Sequence, residues 1–313
     1  MDRLTRRIPG AVKRRVPVVR ERDALREQVR DLYAQLDQER AERPSVGGLH
    51  GTYVGDNRML ISTTWGGRLL VPSDDLSLMP ELVASGTYDA PFTAFVQRHV
   101  KPGDTVIDVG ANVGLFTLLL AYQVWEHGRV VAYEASPSIL ELLRHNVSMA
   151  WLDDRVEIVP KAAAATTGPL PFLAPRRYSM TGSLRPVEHL LSTENRADTV
   201  DHIQVDAEPL DVHAGRFDRI DLVKIDVEGA EEQVFAGMED LLASGVIKRV
   251  AFEIAREWMG EEWERFTERL RRLEREGWAF ATISDTGEPE PISLTAVFER
   301  GRFSQVLMHR SGT

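Results

Sequence analysis

The stretch VIDVGANVGLFTLLLA, residues 106–121, runs from a short apolar segment through a glycine-spaced turn into a longer apolar segment. The first segment predicts a buried strand and the second predicts a helix. A strand-to-helix turn of this kind is typical of sites for nucleotide-like ligands, because glycines let the backbone approach a ligand closely. The alternative is a tight turn without a ligand. Asp108 lies just ahead of the glycines and bears on which ligand is expected.

Two ligands compete for this turn. A dinucleotide site requires the spacing GxGxxG, but three residues separate Gly110 from Gly114 here. The Asp108 carboxylate would also lie near the negative phosphates of a dinucleotide. S-adenosylmethionine has no phosphate and carries an ammonium and a sulfonium, beside which a carboxylate is favourable. Glu134, at the end of the next strand, can accept both ribose hydroxyls of either ligand and does not discriminate. The sequence therefore favours S-adenosylmethionine.

Strand and helix patterns alternate from residue 104 onward. Strands are predicted at TVIDVG, GRVVAYE, RVEIV, RIDLVKID and IKRVAFEI, with closing strands at WAFATIS and SQVLMHR. GAEEQVFAGMEDLLASG predicts one helix, and residues 160–215 predict an irregular region with some strand character. The alternation predicts an α/β fold, a Rossmann-like doubly wound sheet with helices on both faces. Such sheets bind ligands beyond the carboxyl ends of their strands.

Two segments precede this domain, which is predicted over residues 104–313. Residues 50–103 predict a module with a hairpin, which turns at Gly66-Gly67, followed by helices. Residues 1–45 predict a basic arm and a short helical segment, since residues 1–30 contain ten Arg or Lys against four Asp or Glu.

The helical segment carries a heptad-type stripe formed by Leu25, Val29, Leu32 and Leu36. One interpretation is a short coiled coil that assembles a homo-oligomer, with the basic arm on an acidic membrane surface or partner. The other is a solvated helix packed on its own domain, since two heptads are fewer than the roughly three to four that identify a coiled coil.

Composition excludes several classes of protein. The 313 residues include no cysteine, which excludes disulfides, thiolate catalysis and thiolate zinc sites. The net charge of −10 is concentrated outside the basic arm, and an acidic body argues against nucleic-acid binding. No apolar run approaches the ~20 residues of a membrane-spanning helix. We expect a cytoplasmic protein, with peripheral membrane contact of the basic arm as an option.

Three motifs together resemble the FkbM-type S-adenosylmethionine-dependent methyltransferases: DVGANVGLFT, YEASP at residues 133–137, and DLVKIDVEGAE at residues 221–231. The resemblance extends from about Tyr53 through the last strand. It implies a class I methyltransferase sheet, mostly parallel with the last strand antiparallel. It also implies methyl transfer to a hydroxyl, often on a sugar, glycolipid or polyketide-type metabolite. The cofactor site that it implies comprises Asp108, Gly110, Asn112, Gly114, Glu134 and Ser136.

The catalytic candidates lie at the end of the fourth strand of the alternating part. The strand period puts Lys224 and Asp226 on one side, with Asp226 at the carboxyl end where ligands bind. We expect Asp226 to act as a base or an orienting carboxylate, Lys224 as its charge partner and Glu228 as a second acid. The alternative is a buried ion pair that holds the strand end, with Glu228 capping the turn.

Three further features leave alternatives open. Asp226 and Glu253 offer two carboxylates at neighbouring strand ends for a magnesium ion, but no third ligand is evident. Residues 174–189 predict either a cover over cofactor and acceptor or a mobile loop. Arg256 and Trp258 could face a sugar ring, or Trp258 could be a packing residue at the start of the next helix.

Two rival functions also remain. One is an NAD(P)-dependent oxidoreductase on a related Rossmann sheet, and the other is a non-catalytic scaffold with a methyltransferase fold.

Overall fold

The computed structural model describes residues 50–185 and 199–310. The chain divides into two compact units, Met1–Gly48 and Leu49–Thr313. The basic arm and the predicted coiled-coil stripe lie outside the described residues, so both stay predictions.

An eight-stranded sheet forms the centre of the second unit. Its strands in chain order are β4 (Thr105–Val109), β5 (Arg129–Tyr133), β6 (Val156–Val159), β10 (Leu222–Ile225), β11 (Arg249–Ala255), β12 (Trp278–Ile283), β13 (Pro289–Pro291) and β14 (Arg302–Arg310). Their spatial order is β13-β12-β14-β11-β10-β4-β5-β6. Strands β6, β5, β4, β10 and β11 are parallel, and β14 runs antiparallel to β11 and β12. The predicted sheet, mostly parallel with the last strand antiparallel, is confirmed.

Helices cover both faces of the sheet. They are α1 (Met79–Ser85), α2 (Ala90–His99), α3 (Leu115–Val124), α4 (Pro137–Met149), α5 (Glu231–Ala236), α6 (Glu239–Ser244), α7 (Arg256–Met259), α8 (Trp263–Arg275) and α9 (Leu294–Arg300). Adjacent residues of β4 point to opposite layers, since Val106 packs in the core with α3 and α4 while Ile107 packs in the core with α5, α6 and α8. The parallel strands are mainly apolar because both of their faces are buried, with Asp108 and Lys224 as buried charged exceptions.

The helix predicted over residues 229–245 is in fact two helices, α5 and α6. They separate at Gly237, where a Cβ atom would lie 2.2 Å from the carbonyl oxygen of Ala164. The start of α6 is capped by Asp211, whose carboxylate accepts hydrogen bonds from the amides of Asp240 and Leu241. The single helix predicted from the continuous helical pattern is wrong here, because the close approach of Gly237 to the backbone of Ala164 requires a break between the two helices.

Two smaller sheets flank the central one. In the N-terminal module, β1 (Gly51–Gly55), β2 (Arg58–Ser62) and β3 (Arg68–Pro72) form an antiparallel meander. The predicted hairpin is β2 and β3, and its turn contains Gly66. Within residues 160–215, β7 (Ala162–Ala163), β8 (Gly168–Pro175) and β9 (Val200–Glu208) form the other sheet. Short 3-10 turns lie at Ser179–Thr181, Leu210–His213 and Gly260–Glu262. Among the described helices, none is long and apolar enough to span a membrane.

Asn146, fully buried on α4, joins the N-terminal module to the glycine turn. Its carbonyl oxygen accepts from the Leu70 amide at 2.7 Å, and its amide donates to the carbonyl of Leu70 at 2.9 Å. The same amide donates to the carbonyl of Val113 at 2.8 Å. One side chain therefore satisfies backbone groups of β3 and of the turn after β4.

We expect Asn146→Ala to lower the free energy of unfolding by roughly 2–4 kcal/mol, because it leaves buried backbone groups without partners. Urea unfolding followed by circular dichroism measures the change. Ser148→Ala, on the exposed face of the same helix, is the control and should leave stability within about 0.5 kcal/mol of the native chain. Equal stabilities for the two variants would contradict this role of Asn146.

Candidate cofactor cleft and acceptor site

A cleft lies at the carboxyl ends of β4, β5 and β10, the edge at which parallel sheets bind ligands. Its lining comes from these strand ends and from a covering segment, which we define as residues 172–183. The lining residues include Gly110, Asn112, Tyr133, Glu134, Ala135, Ser136, Ile139, Lys161, Phe172, Ser179, Met180, Gly182, Asp226 and Val227. The cleft encloses about 90 Å³, less than the roughly 300–1,000 Å³ of sites for drug-sized ligands. A ligand of that size would therefore extend beyond the enclosed volume towards the open side of the cleft.

Glu134 is held rigidly at the end of β5. Its Oε2 atom accepts from the Asn112 amide at 2.8 Å, and its Oε1 atom accepts from the Ser136 amide at 2.7 Å. Burial raises the pKa of Glu134 to about 7, although these backbone hydrogen bonds act in the opposite direction. A buried carboxylate with fixed orientation suits bidentate contact with a pair of hydroxyls, such as those of a ribose.

Gly110 lets the end of β4 approach the end of β10. Its φ of +79° lies in the left-handed region, and a Cβ atom would lie 1.8 Å from the Asp226 carbonyl oxygen. No other residue fits without moving the backbone. The four predicted cofactor residues that line the cleft are Gly110, Asn112, Glu134 and Ser136. Their contacts with a cofactor stay a prediction.

Asp108 lies beneath the cleft and does not line it. Its side chain is 0% exposed, accepts from the Thr117 hydroxyl at 2.7 Å and faces the Lys224 ammonium at 3.4 Å. The sequence argument expected this carboxylate beside the ligand, but the pleat turns it into the interior. Gly114 is likewise outside the lining, and its φ of +96° starts α3.

The acidic groups that do reach the cleft are Glu134 and Asp226. Lys161 is the one Lys or Arg in the lining, and its ammonium pairs with Glu208. The cleft therefore repels the pyrophosphate of a dinucleotide and suits the ammonium and sulfonium of S-adenosylmethionine. The preference for S-adenosylmethionine that was inferred from Asp108 therefore rests on the carboxylates of Glu134 and Asp226 instead.

Lys224 is 2% exposed and lies between two carboxylates. Its Nζ atom is 3.4 Å from Oδ1 of Asp108 and 3.4 Å from Oδ2 of Asp226. Burial alone would lower the pKa of Lys224, but Asp226 and Asp108 raise it above its ordinary value, so the ammonium stays charged. The expected charge pairing of Lys224 with Asp226 is present, and it extends to Asp108.

Three carboxylates meet where β10 and β11 end. Asp226, Glu228 and Glu253 each offer an oxygen atom within 4.8 Å of the others. Burial, with the neighbouring carboxylates, raises the pKa of Glu228 and that of Glu253 well above the ordinary value. From the sequence, only Asp226 and Glu253 were expected to lie together here. The structure adds Glu228 as the third acid. Oxygen atoms in this arrangement could hold a divalent cation, and magnesium here stays a prediction.

The turn after β10 is held by Glu231 rather than by Glu228. Oε1 of Glu231 accepts from the amides of Val227 and Gly229, both at 3.3 Å. Glu228 itself adopts a φ of +52°, uncommon for a residue with a side chain. The interpretation in which Glu228 caps this turn is therefore corrected. The acid that binds the amides of the turn is Glu231, three residues later in the chain.

The covering segment is fixed to the N-terminal module by Asp75, which sequence reasoning missed. Asp75 is 0% exposed, and its Oδ1 atom accepts from the Ser179 amide at 3.1 Å. The carbonyl of Ser179 in turn accepts from the Asn112 side chain at 2.9 Å. The described part of residues 174–189 thus contributes to the cleft wall. Ser73-Asp74-Asp75 after an apolar strand resembled an ordinary turn, so no local signal marked Asp75.

Asp89 of the N-terminal module lies close enough to Asp226 and Lys224 for their charges to affect its carboxyl group. Burial raises the pKa of Asp89 to about 6, and the charge of Asp226 adds to this, while Lys224 acts in the opposite direction. The carboxylate also accepts from the Phe92 amide at the start of α2. In the sequence, Asp89 can be recognised only as a residue that caps the start of a helix, which does not indicate a place near the site.

A family model described as the methyltransferase FkbM domain matches residues 108–278, just over half of the chain. The match contains the three strand ends that form the cleft. The resemblance expected from about Tyr53 through the last strand extends beyond this match at both ends.

Methyltransferase sdnD of Sordaria araneosa is 25% identical over 221 residues, 62% of this chain and 82% of that protein. The 31-O-demethyl-FK506 methyltransferase FkbM of Streptomyces tacrolimicus is 31% identical over 166 residues, 46% of this chain and 64% of that protein. The solved O-methyltransferase of Bacillus cereus in complex with S-adenosylhomocysteine is 17% identical, with a TM-score of 0.35 over 76% of this chain and 82% of that one.

The raised pKa of Glu134 predicts a pH-dependent stability. Because the pKa rises from 4.5 to about 7 on folding, the folded state binds this proton more tightly than the unfolded state. The stabilisation is complete below pH 4.5 and is lost as the pH rises through about 7. We expect the stability gap, the stability of the native chain minus that of Glu134→Gln, to fall by up to about 3 kcal/mol as the pH rises from 4.5 through about 7.

Urea unfolding at several pH values measures this gap. Glu141→Gln, on the exposed face of α4, is the control and should give a gap that does not change with pH. A constant gap for Glu134→Gln would mean that the carboxyl titrates alike in the folded and unfolded chain.

Proposed function

This chain belongs to the FkbM methyltransferase family and is an S-adenosylmethionine-dependent methyltransferase; we propose that it transfers the methyl group to a hydroxyl oxygen of a sugar, glycolipid or polyketide-type acceptor. The observation that carries the proposal is the Asp226 carboxylate, which lies in the cleft wall beside the cofactor residues and is held by Lys224. The Streptomyces tacrolimicus relative, named for a 31-O-demethyl compound, supports oxygen as the acceptor atom.

The residues of the cleft would hold the cofactor by complementary chemistry. When bound, S-adenosylmethionine supplies an electrophilic methyl group on a sulfonium. Glu134 would accept the ribose hydroxyls, and the turn at Gly110 and Asn112 would leave room for close backbone contact. The net negative lining would favour the cationic part of the cofactor.

Asp226 would act on the acceptor. An alcohol is a weak nucleophile, so a carboxylate that accepts the hydroxyl proton, or orients that hydroxyl, accelerates its attack. Lys224 would keep the Asp226 carboxylate in position, and Asp108 would keep Lys224 in position from the other side. The acceptor oxygen would form its bond to the methyl carbon as the bond between that carbon and the sulfonium sulfur breaks, the sulfur would leave with the electron pair of that bond, and the hydroxyl proton would pass to Asp226 or to water.

A panel of glycosides, glycolipids and polyketides tests the acceptor. The chain is incubated with cofactor labelled in the methyl group, and products are identified by carbon NMR. A methoxy signal is expected. A methyl group on nitrogen or carbon instead would overturn hydroxyl methylation while leaving the methyltransferase assignment intact.

Cofactor binding gives a direct prediction. In isothermal titration, we expect S-adenosylhomocysteine to bind and NAD not to bind, since the cleft repels a pyrophosphate. Glu134→Ala should weaken binding by roughly tenfold or more through the loss of charge-assisted hydrogen bonds, whereas Glu141→Ala should not. Binding of NAD would restore the oxidoreductase alternative, and binding of neither ligand would favour the scaffold.

Loss of the proposed base should abolish turnover. With an acceptor from the panel, we expect Asp226→Asn to lower kcat by about 10²–10⁴-fold and to leave cofactor affinity nearly unchanged. The fold should persist, because Lys224 retains Asp108 as a partner. The exposed Asp218→Asn is the matched control. Turnover near the native level in Asp226→Asn would remove Asp226 from the reaction.

The same assay with EDTA separates a carboxylate base from a metal site. Activity that is lost in EDTA and restored by magnesium would assign Asp226, Glu228 and Glu253 to a cation. Activity that is indifferent to EDTA would leave these groups as acids without a metal.

A further inference from the structure

A second cleft lies along the same edge of the sheet, where β11 ends and β14 begins. It encloses about 140 Å³ and is lined by Ala255, Arg256, Glu257, Trp258, Glu299, Arg300, Gly301 and Arg302. Three exposed arginines are its main feature, and we call it the arginine cleft. With two glutamates, its lining carries a net charge of +1 from the residues of this set.

Strand register connects the arginine cleft to Asp226. Ala255, the last residue of β11, pairs with Arg302, the first residue of the antiparallel β14. Strand β11 also lies beside β10, which ends just before Asp226. Neighbouring strands are about 4.8 Å apart, and Arg302 is level with a residue two positions beyond the one level with Asp226, so the two backbone positions lie roughly 12 Å from each other. Burial raises the pKa of Glu228, and the charge of Arg302 counteracts this, so Arg302 lies within electrostatic reach of Glu228.

The three guanidinium groups are free to bind a ligand. Within residues 50–185 and 199–310, none of them forms an ion pair with a carboxylate. Arg256 lies over the Trp263 ring at 5.6 Å, and Arg300 lies over the Phe303 ring at 4.5 Å. Stacking fixes the planes of these guanidinium groups and leaves their N–H groups available at the edges.

Trp258, by contrast, is 9% exposed and packs against Leu173 and Ala255. It is also among the lining residues of the arginine cleft, and its burial favours the packing interpretation over the stacking of a sugar on its ring. Recognition at this position therefore depends on charge.

We propose that the arginine cleft binds a carboxylate or phosphate group carried by the methyl acceptor, whose hydroxyl lies at Asp226. The inference rests on the proposed function and narrows its acceptor class to acidic compounds. A volume of about 140 Å³ fits one charged group rather than a whole ligand. Guanidinium groups match the planar geometry of such oxyanions with paired hydrogen bonds. An acceptor about the size of a hexose derivative spans the distance from Arg302 to Asp226.

Matched sugars test this proposal on the full chain. Glucuronate and glucose 6-phosphate supply an oxyanion, and glucose is the neutral control. Binding is measured by ligand-observed NMR, with and without S-adenosylhomocysteine. We expect the two acidic sugars to bind at least roughly tenfold more tightly than glucose, because charge-assisted hydrogen bonds distinguish them. Equal binding of the three sugars would overturn the proposal.

Arginine variants locate the contact. Arg300→Gln and Arg302→Gln should each weaken binding of the acidic sugars by roughly tenfold. Arg271→Gln is the matched control, since Arg271 is also exposed and lies over an aromatic ring, Phe298 at 5.1 Å, but lies outside the cleft. Equal losses in all three variants, or no loss in Arg300→Gln and Arg302→Gln, would overturn the assignment.

Titration with S-adenosylhomocysteine separates this outcome from failure of the proposed function. All three variants should retain cofactor binding. If the native chain binds acidic sugars but no cofactor, the proposed function fails while the arginine cleft stands. If it binds cofactor but no acidic sugar, the cleft assignment fails alone.

Discussion

The buried ammonium of Lys224 is the constraint on which the site depends. An unpaired charge cannot remain in a sheet interior, so Lys224 requires Asp108 on β4 and Asp226 beyond β10. Lys224 and Asp108 are register partners on adjacent strands, which sets the strand ends level with each other. The hydroxyl of Thr117, on α3, donates a hydrogen bond to the Asp108 carboxylate. One cation thereby aligns the glycine turn, the helix after it and the candidate base.

Charges of opposite sign are separated along the active edge of the sheet. Carboxylates cluster from β5 to the end of β10, where a cationic cofactor would lie, and arginines follow where β14 begins. Such a division orients a ligand as well as binding it, because reversing the ligand would place like charges together. Under the proposed function, this edge would distinguish the two ends of an acceptor by their charge.

The cofactor cleft is closed by parts of the chain that are distant in sequence. Asp75 of the N-terminal module holds Ser179 of the cover, and Ser179 holds Asn112 of the glycine turn. These contacts make the N-terminal module part of the site although the family match begins at residue 108. Through these hydrogen bonds, the hairpin that precedes the core helps to fix the position of the cover.

The sequence by itself determined the doubly wound sheet, the edge that binds the cofactor, and the positions of Glu134 and Asp226. These features follow from local periodicity and from strand ends, which short stretches of sequence encode. Only the tertiary structure decided that Asp108 faces inward and that Glu228 meets Glu253. It also decided that Asp75 closes the cleft and that Arg302 lies two strands from Asp226. Each of these depends on contacts between segments far apart in the chain, and pairing and packing, rather than local pattern, create such contacts.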